Sequence, residues 1–290
     1  MARRVRWLGV VAAAMLAGAT PAAAETILFV GNSFTFGANS PAWKYRADSV
    51  TDLNGEGIGG VPALFKRFAE QAGLDYQVSL ETAGGRTLDW HWQNRRDRLD
   101  RAWDHVVLQE YSTLSPERPG DPTATIAAVR RFARLFAARN AKVDLRLMAT
   151  WSRPDLVFAK ASPWRGQPIA AMARDLRKAV DRAAAARPGI RVLPVGEGFN
   201  CAIARGVADA NPYDGIAYGQ APLWSYDQYH ASAYGYYLEA LVVFAEVTGR
   251  DPRSLGRDET AAIELGIGGD MAARLQAVAW EATRKGTTCR

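Results

Sequence analysis

The chain has 290 residues, 48% of them hydrophobic, which is enough for one domain with a large core and too little for two full ones. Lysine and arginine number 36 against 30 aspartate and glutamate, and three of those arginines (Arg3, Arg4 and Arg6) sit at the extreme N-terminus. The others, such as Arg95, Arg96, Arg98 and Arg101, are scattered along helical segments; that reads as a solvated face and argues against nucleic acid as a partner.

The basic start, the apolar run over residues 8–19 and the small residues Ala22-Ala23-Ala24 predict a signal peptide over residues 1–24. The apolar run is shorter than the ~20 residues of a membrane span. The expectation is an exported protein, periplasmic or extracellular, with no stable membrane insertion after cleavage. Residues 25–290 then form a single domain. In an oxidising compartment Cys201 and Cys289 can pair, which would pin the C-terminus to the segment after the fifth strand; spacing alone does not fix their geometry.

Residues 27–30 are four apolar residues that read as a buried strand, broken by Gly31-Asn32 with Ser33 at the turn. Residues 38–60 carry Asn39, Pro41, Asn54, Gly55, Gly57, Gly59 and Gly60, and read as an inserted loop: a wall or lid beside Ser33, or a surface insertion. Pro62 fits a first helical turn, with Leu64, Phe65, Phe68 and Ala72 at helical spacing and Gly73 as the stop. A strand over 76–80 ends in a glycine turn, Gly84-Gly85, and a helix runs on to Arg101. A strand over 105–109 and a helix from Asp121-Pro122 follow, then a strand over 143–149, a helix over 168–186 and a fifth strand over 190–195. A short helix over 199–207 and an aromatic loop over 211–229 lead to Asp227-Gln228-Tyr229-His230, a helix over 233–247 and a helical tail broken at residues 266–269. Strands that alternate with helices predict an α/β fold whose mostly parallel, five-stranded sheet is covered on both faces.

Open α/β sheets place their chemistry at the carboxyl edge of the strands. Ser33 lies there, directly after the first strand. A serine hydroxyl needs a base, usually histidine held by a carboxylate. Of the three histidines, His91 has no obvious carboxylate partner and reads as a surface or packing residue. His105 stands at a strand start, the wrong edge. His230 has Asp227 three residues earlier and is the base by elimination. Candidate oxyanion donors are the backbone N–H groups of Ser33 and Gly85 and the side-chain amide of Gln109, all at carboxyl ends of strands. Asn32, Trp151 and Tyr229 are further candidates for substrate contact. Two distant cysteines and three histidines give no zinc spacing, so neither metal nor cofactor is expected.

These blocks resemble the SGNH hydrolase, or GDSL esterase/lipase, superfamily. Gly31-Asn32-Ser33 looks like its first block, Gly85-Arg86-Thr87 its second, and Asp227 to His230 its last. The resemblance implies a flavodoxin-like three-layer α/β/α sandwich and metal-free ester hydrolysis through Ser33, Asp227 and His230. The third block departs: where the family has Gly-x-Asn-Asp, this strand ends Gln109-Glu110-Tyr111-Ser112. The aromatic residues of the strand-end loops could stack on sugar rings or simply pack. With export, they favour a short-chain acyl ester, O-acetyl on carbohydrate included. Acyl transfer, lysophospholipase or thioesterase activity, and non-catalytic glycan binding are the alternatives. The oligomeric state is not legible in the sequence.

Overall fold

The computed structural model describes residues 24–284 and 289. The expected leader, save its last residue, lies outside them.

The first strand, β1 (Glu25–Gly31), is central to the sheet. Its residues 27–30 are wholly buried, as a four-residue apolar run in a parallel sheet requires. It pairs in parallel with β3 (Tyr76–Thr82) on one side and β4 (His105–Leu108) on the other. Beyond them lie β2 (Thr51–Asp52), β5 (Asp144–Met148) and β6 (Arg191–Leu193), giving the order β2-β3-β1-β4-β5-β6. The sheet therefore has six strands where five are expected. The sixth, β2, is a two-residue edge strand inside the 38–60 stretch, too short to leave an alternation in the sequence.

The register aligns the carboxyl ends. Gly31 lies opposite Thr82, Val30 opposite Leu108, and Met148 opposite Leu193. Whatever follows each strand thus emerges along one edge.

Helices cover the two faces. Helix α3 (Leu88–Leu99) packs on α4 (Thr123–Arg139), and α4 on α5 (Ala170–Ala184). In the other group, α2 (Gly60–Gln71) packs on α7 (Ala233–Thr248), and both α7 and α6 (Val195–Ala204) on α9 (Gly269–Thr283). The short α8 (Thr260–Glu264) precedes α9. A one-turn helix, α1 (Ser33–Phe36), starts at the expected nucleophile itself.

The opposite, amino edge of the sheet carries charge. His105 bonds Asp144 through Nδ1 (3.1 Å) and Glu25 through Nε2 (2.9 Å). Arg146, almost fully buried, pairs with Asp144 (2.8 Å) and Glu246 (3.1 Å). Arg191 adds a second cation to Asp144 (2.7 Å). Burial alone would disfavour charge on the His105 ring, but its two carboxylate partners outweigh that and raise its pKa. Cys201 in α6 and Cys289 are joined in a disulfide, with Cα atoms 4.9 Å apart.

Candidate functional site

Ser33 owes its position to the residues on either side of it. The Asn32 side chain accepts the N–H of Phe34 (3.2 Å) and its carbonyl those of Thr35 and Phe36 (both 3.0 Å), so α1 starts abruptly after the strand. Gly37 closes the turn in the left-handed region, φ 79°. The Tyr236 hydroxyl, buried in α7, lies 3.1 Å from the Ser33 carbonyl and 3.2 Å from that of Ala38. Gly31 cannot be larger, since a Cβ there would stand 2.2 Å from Thr35 Oγ1.

Behind Ser33, Asn32 ties three strand ends together. Its Nδ2 donates to the carbonyls of Arg86 (3.0 Å) and Glu110 (3.3 Å). It is almost wholly buried, so it clamps loops and does not contact substrate. The expectation for Gln109 is corrected too. Its Oε1 accepts from Asn32 N (2.9 Å) and Thr35 Oγ1 (3.0 Å), while its Nε2 donates to the Glu110 carbonyl. With no exposed surface, its oxygen occupied twice and its nitrogen turned to the Glu110 carbonyl, the amide braces the Asn32 turn and is not presented at an open oxyanion site. The backbone N–H groups of Ser33 and Gly85 accept no such commitment: neither donates a hydrogen bond among the described residues. Gly85, at φ 67° with open space at its Cβ position, lies exposed on its turn.

The loop before α7 brings Asp227 and His230 together. Asp227 Oδ1 accepts the N–H groups of Tyr229 (3.1 Å) and His230 (3.0 Å), and Oδ2 lies 2.6 Å from His230 Nδ1. Asn39 Nδ2 donates to the same Oδ2 (2.8 Å). Burial would raise the Asp227 pKa, but the bonds from His230 and the two N–H groups prevail and lower it. A carboxylate on Nδ1 fixes the ring proton there and leaves the Nε2 lone pair free. That nitrogen is buried and has no partner among the described residues, so a Ser33–His230 bond is not formed in this conformation. The imidazole stands beside the Ser33 turn, its centroid 5.8 Å from the ring of Phe34.

Tyr229 lies between these groups. Its ring is 4.1 Å from that of His230 and 5.5 Å from that of Phe34, and the Arg153 guanidinium covers it at 3.6 Å. Trp151, by contrast, is wholly buried, stacked between Phe34 (4.1 Å) and Phe199 (5.0 Å). Its expected substrate contact is corrected to core packing: one face of the ring supports the residue after Ser33.

Sequence reasoning missed Asn39, which is 188 positions from Asp227, and Arg153, which is 41 positions from Ser112. It also left His91 without a carboxylate. The structure buries His91 fully and bonds its Nδ1 to Glu81 near the end of β3. Among the described residues, no group of three or more His, Cys, Asp or Glu side chains is placed to hold a metal ion.

No family model and no curated protein matches the chain. Solved structures do. A DUF4886 family protein from Bacteroides uniformis is 16% identical with a TM-score of 0.61, over 91% of this chain and 96% of that one. A candidate GDSL-like lipase from Parabacteroides merdae is 17% identical with a TM-score of 0.51, over 78% and 95%. The chain has the SGNH hydrolase fold. In SGNH terms, Ser33 stands after the first strand, Gly85 after the second long strand and Asp227–His230 before the last large helix of the sandwich.

Proposed function

We propose that this protein is a serine ester hydrolase acting through Ser33, His230 and Asp227. The observation that carries the reading is the Asp227–His230 pair. An imidazole with Nδ1 held at 2.6 Å presents a free, buried Nε2 at the edge where α1 offers the Ser33 hydroxyl.

The chemistry follows. His230 Nε2 takes the Ser33 proton as Oγ attacks the ester carbonyl. The carbonyl π pair moves onto oxygen, where the N–H groups of Ser33 and Gly85 receive the charge. Collapse expels the alkoxide, which takes the proton back from His230 and leaves as alcohol. Water, deprotonated by the same nitrogen, then cleaves the acyl-enzyme and restores Ser33. Asp227 stays ionised throughout and holds the imidazolium.

The rim supports a carbohydrate ester with a short acyl group, acetyl included. Tyr213, Tyr226 and Trp43 are exposed in the loops that carry Asp227 and follow Ser33, and their faces suit sugar rings. The Cys201–Cys289 bridge supports export to an oxidising compartment. No helix among the described residues is long and apolar enough to cross a membrane.

The test is a panel of p-nitrophenyl and acetylated-sugar esters run on the wild type and Ser33→Ala, with fluorophosphonate labelling. Turnover and label on Ser33 are expected in the wild type and absent from the variant. Full turnover by Ser33→Ala, or a folded wild type that takes no label and cleaves no ester, overturns the reading.

A further inference from the structure

Asp227 shares the His230 ring with a second polar side chain. Asn39 Nδ2 lies 3.3 Å from His230 Nδ1 as well as 2.8 Å from Asp227 Oδ2. We infer that Asn39 is a positioning residue of the His230 imidazole, and that position 39 is a second place from which a carboxylate can hold the ring. This rests on the ester-hydrolase reading above and gives residues 38–60 their part in it.

Hydrogen-bond direction decides what Asn39 does. An ionised carboxylate only accepts, so the amide meets Asp227 with its nitrogen. The Nδ1 proton is directed at the same Oδ2 (2.6 Å), so amide and ring are two donors converging on one oxygen. The 3.3 Å approach of the two nitrogens is then no bond, but it shows how near position 39 stands to the ring. Asp227 Oδ1 accepts the N–H groups of Tyr229 and His230. With Asn39 on Oδ2, each oxygen of the carboxylate is held twice, and its orientation is set.

Backbone fixes position 39. Asn39 lies in the left-handed region, φ 59°, which asparagine and aspartate enter more readily than other non-glycine residues. The Ser225 hydroxyl donates to the Asn39 carbonyl (2.7 Å), and the Ser225 N–H to the His230 carbonyl (2.8 Å). The Tyr236 hydroxyl grips the carbonyls of Ser33 and Ala38. Asn39 thus ties the Ser33 turn to the His230 loop twice, through its side chain and through its carbonyl. Behind it, Lys44 Nζ donates to the carbonyls of Glu56 (2.9 Å) and Gly57 (3.0 Å), and the Tyr45 hydroxyl to Glu264 Oε2 in α8 (2.5 Å). Fastened in this way, residues 38–60 are a wall of the site and not a lid.

An exchange of the acid tests it, in a wild type that labels with fluorophosphonate. Asp227→Asn keeps an oxygen for the two backbone N–H groups but turns an amide nitrogen to the ring, and kcat should fall by roughly 10⁴-fold, the cost of the wrong tautomer in a Ser-His-Asp enzyme. Adding Asn39→Asp brings a carboxylate within a small shift of Nδ1 and should restore roughly ten- to a hundredfold, the worth of one hydrogen bond to charge. The recovery should lie in kcat and not in KM. In the otherwise unchanged chain, Asn39→Asp should instead lower kcat, because two carboxylates then crowd one ring. A paired variant no faster than Asp227→Asn overturns the assignment. So does Asn39→Gly with wild-type kcat, a variant that needs no exchange to fold. A wild type without label or turnover would instead overturn the hydrolase reading.

Discussion

Glu110 is a carboxyl buried directly beneath the site, and replacing it by glutamine should stabilise the protein at alkaline pH only. Its Oε1 accepts the N–H groups of Leu88 (3.0 Å) and Tyr111 (2.8 Å), so it joins the start of α3 to the strand-end loop. Burial is the dominant influence and pushes its pKa up to about 7, even though those two N–H bonds favour the ionised form. The folded state therefore binds the proton more tightly than the unfolded chain, where the value is 4.5. Stability linked to this group is complete below that unfolded value and is lost as pH rises through the folded one. Each tenfold in proton affinity is worth about 1.4 kcal/mol, so the loss approaches about 3 kcal/mol above neutrality. Glu110→Gln keeps an oxygen for both N–H groups and removes the ionisation. At about 2–4 °C per kcal/mol for a domain of this size, it should melt some 6–12 °C above the wild type at pH 8 and level with it near pH 4.5. Circular-dichroism melts across that range read both. A lead that is equal at the two pH values, or a variant no more stable than the wild type at pH 8, would refute the reasoning.

At the amino edge the sign is reversed. His105 has a raised pKa, so its bonds to Asp144 and Glu25 stabilise the fold below the histidine's unfolded value and fade as pH rises through the folded one. His105→Gln should cost on the order of 1 kcal/mol at pH 5.5 and markedly less at pH 9, by urea titration; a constant cost would count against the linkage. Cys201→Ser should lower stability by about 4–5 kcal/mol in the chain-entropy view, since the bridge closes a loop spanning 88 positions. Reductant should bring the wild type down to the variant; a melt that reductant leaves in place would contradict it. Asn39 sits at φ 59° with its amide on Asp227. Asn39→Gly tolerates that backbone but loses a hydrogen bond to charge, so kcat should drop by roughly tenfold or more with little change in stability. Asn39→Ala should add about 1–2 kcal/mol of left-handed strain, visible as a lower melting point on top of the same kcat loss. Equal melting points for the two variants would contradict the strain.

The long strands were legible because burial on both faces demands uninterrupted apolar runs, as at Ile27 to Val30, and such runs stand out in any window. The short edge strand Thr51–Asp52 was not, because two residues pairing with Ser79 and Leu80 need no pattern of their own. The Asp227–His230 contact was readable since three residues of one turn bring the groups together. Asn39 was unreadable for the opposite reason: it meets Asp227 across 188 positions, and only the folded path of the chain makes them neighbours. Gln109 shows where residue type misleads. An amide at a strand end suits an oxyanion, but one that points back beneath the turn satisfies Asn32 N and Thr35 first. His91 was misread because its partner Glu81, a strand residue ten positions earlier, meets it only once the chain turns back on itself.

Because β1 is the middle strand and runs toward Ser33, residue Glu25 stands at the far end of the sheet, beside His105. The start of β1 is therefore on the side of the sheet remote from Ser33. A protein immobilised through an N-terminal tag should present its Ser33 edge outward, open to polymers too large to enter a crowded surface layer. Attachment at Tyr226, exposed next to Asp227, should bury that edge against the support.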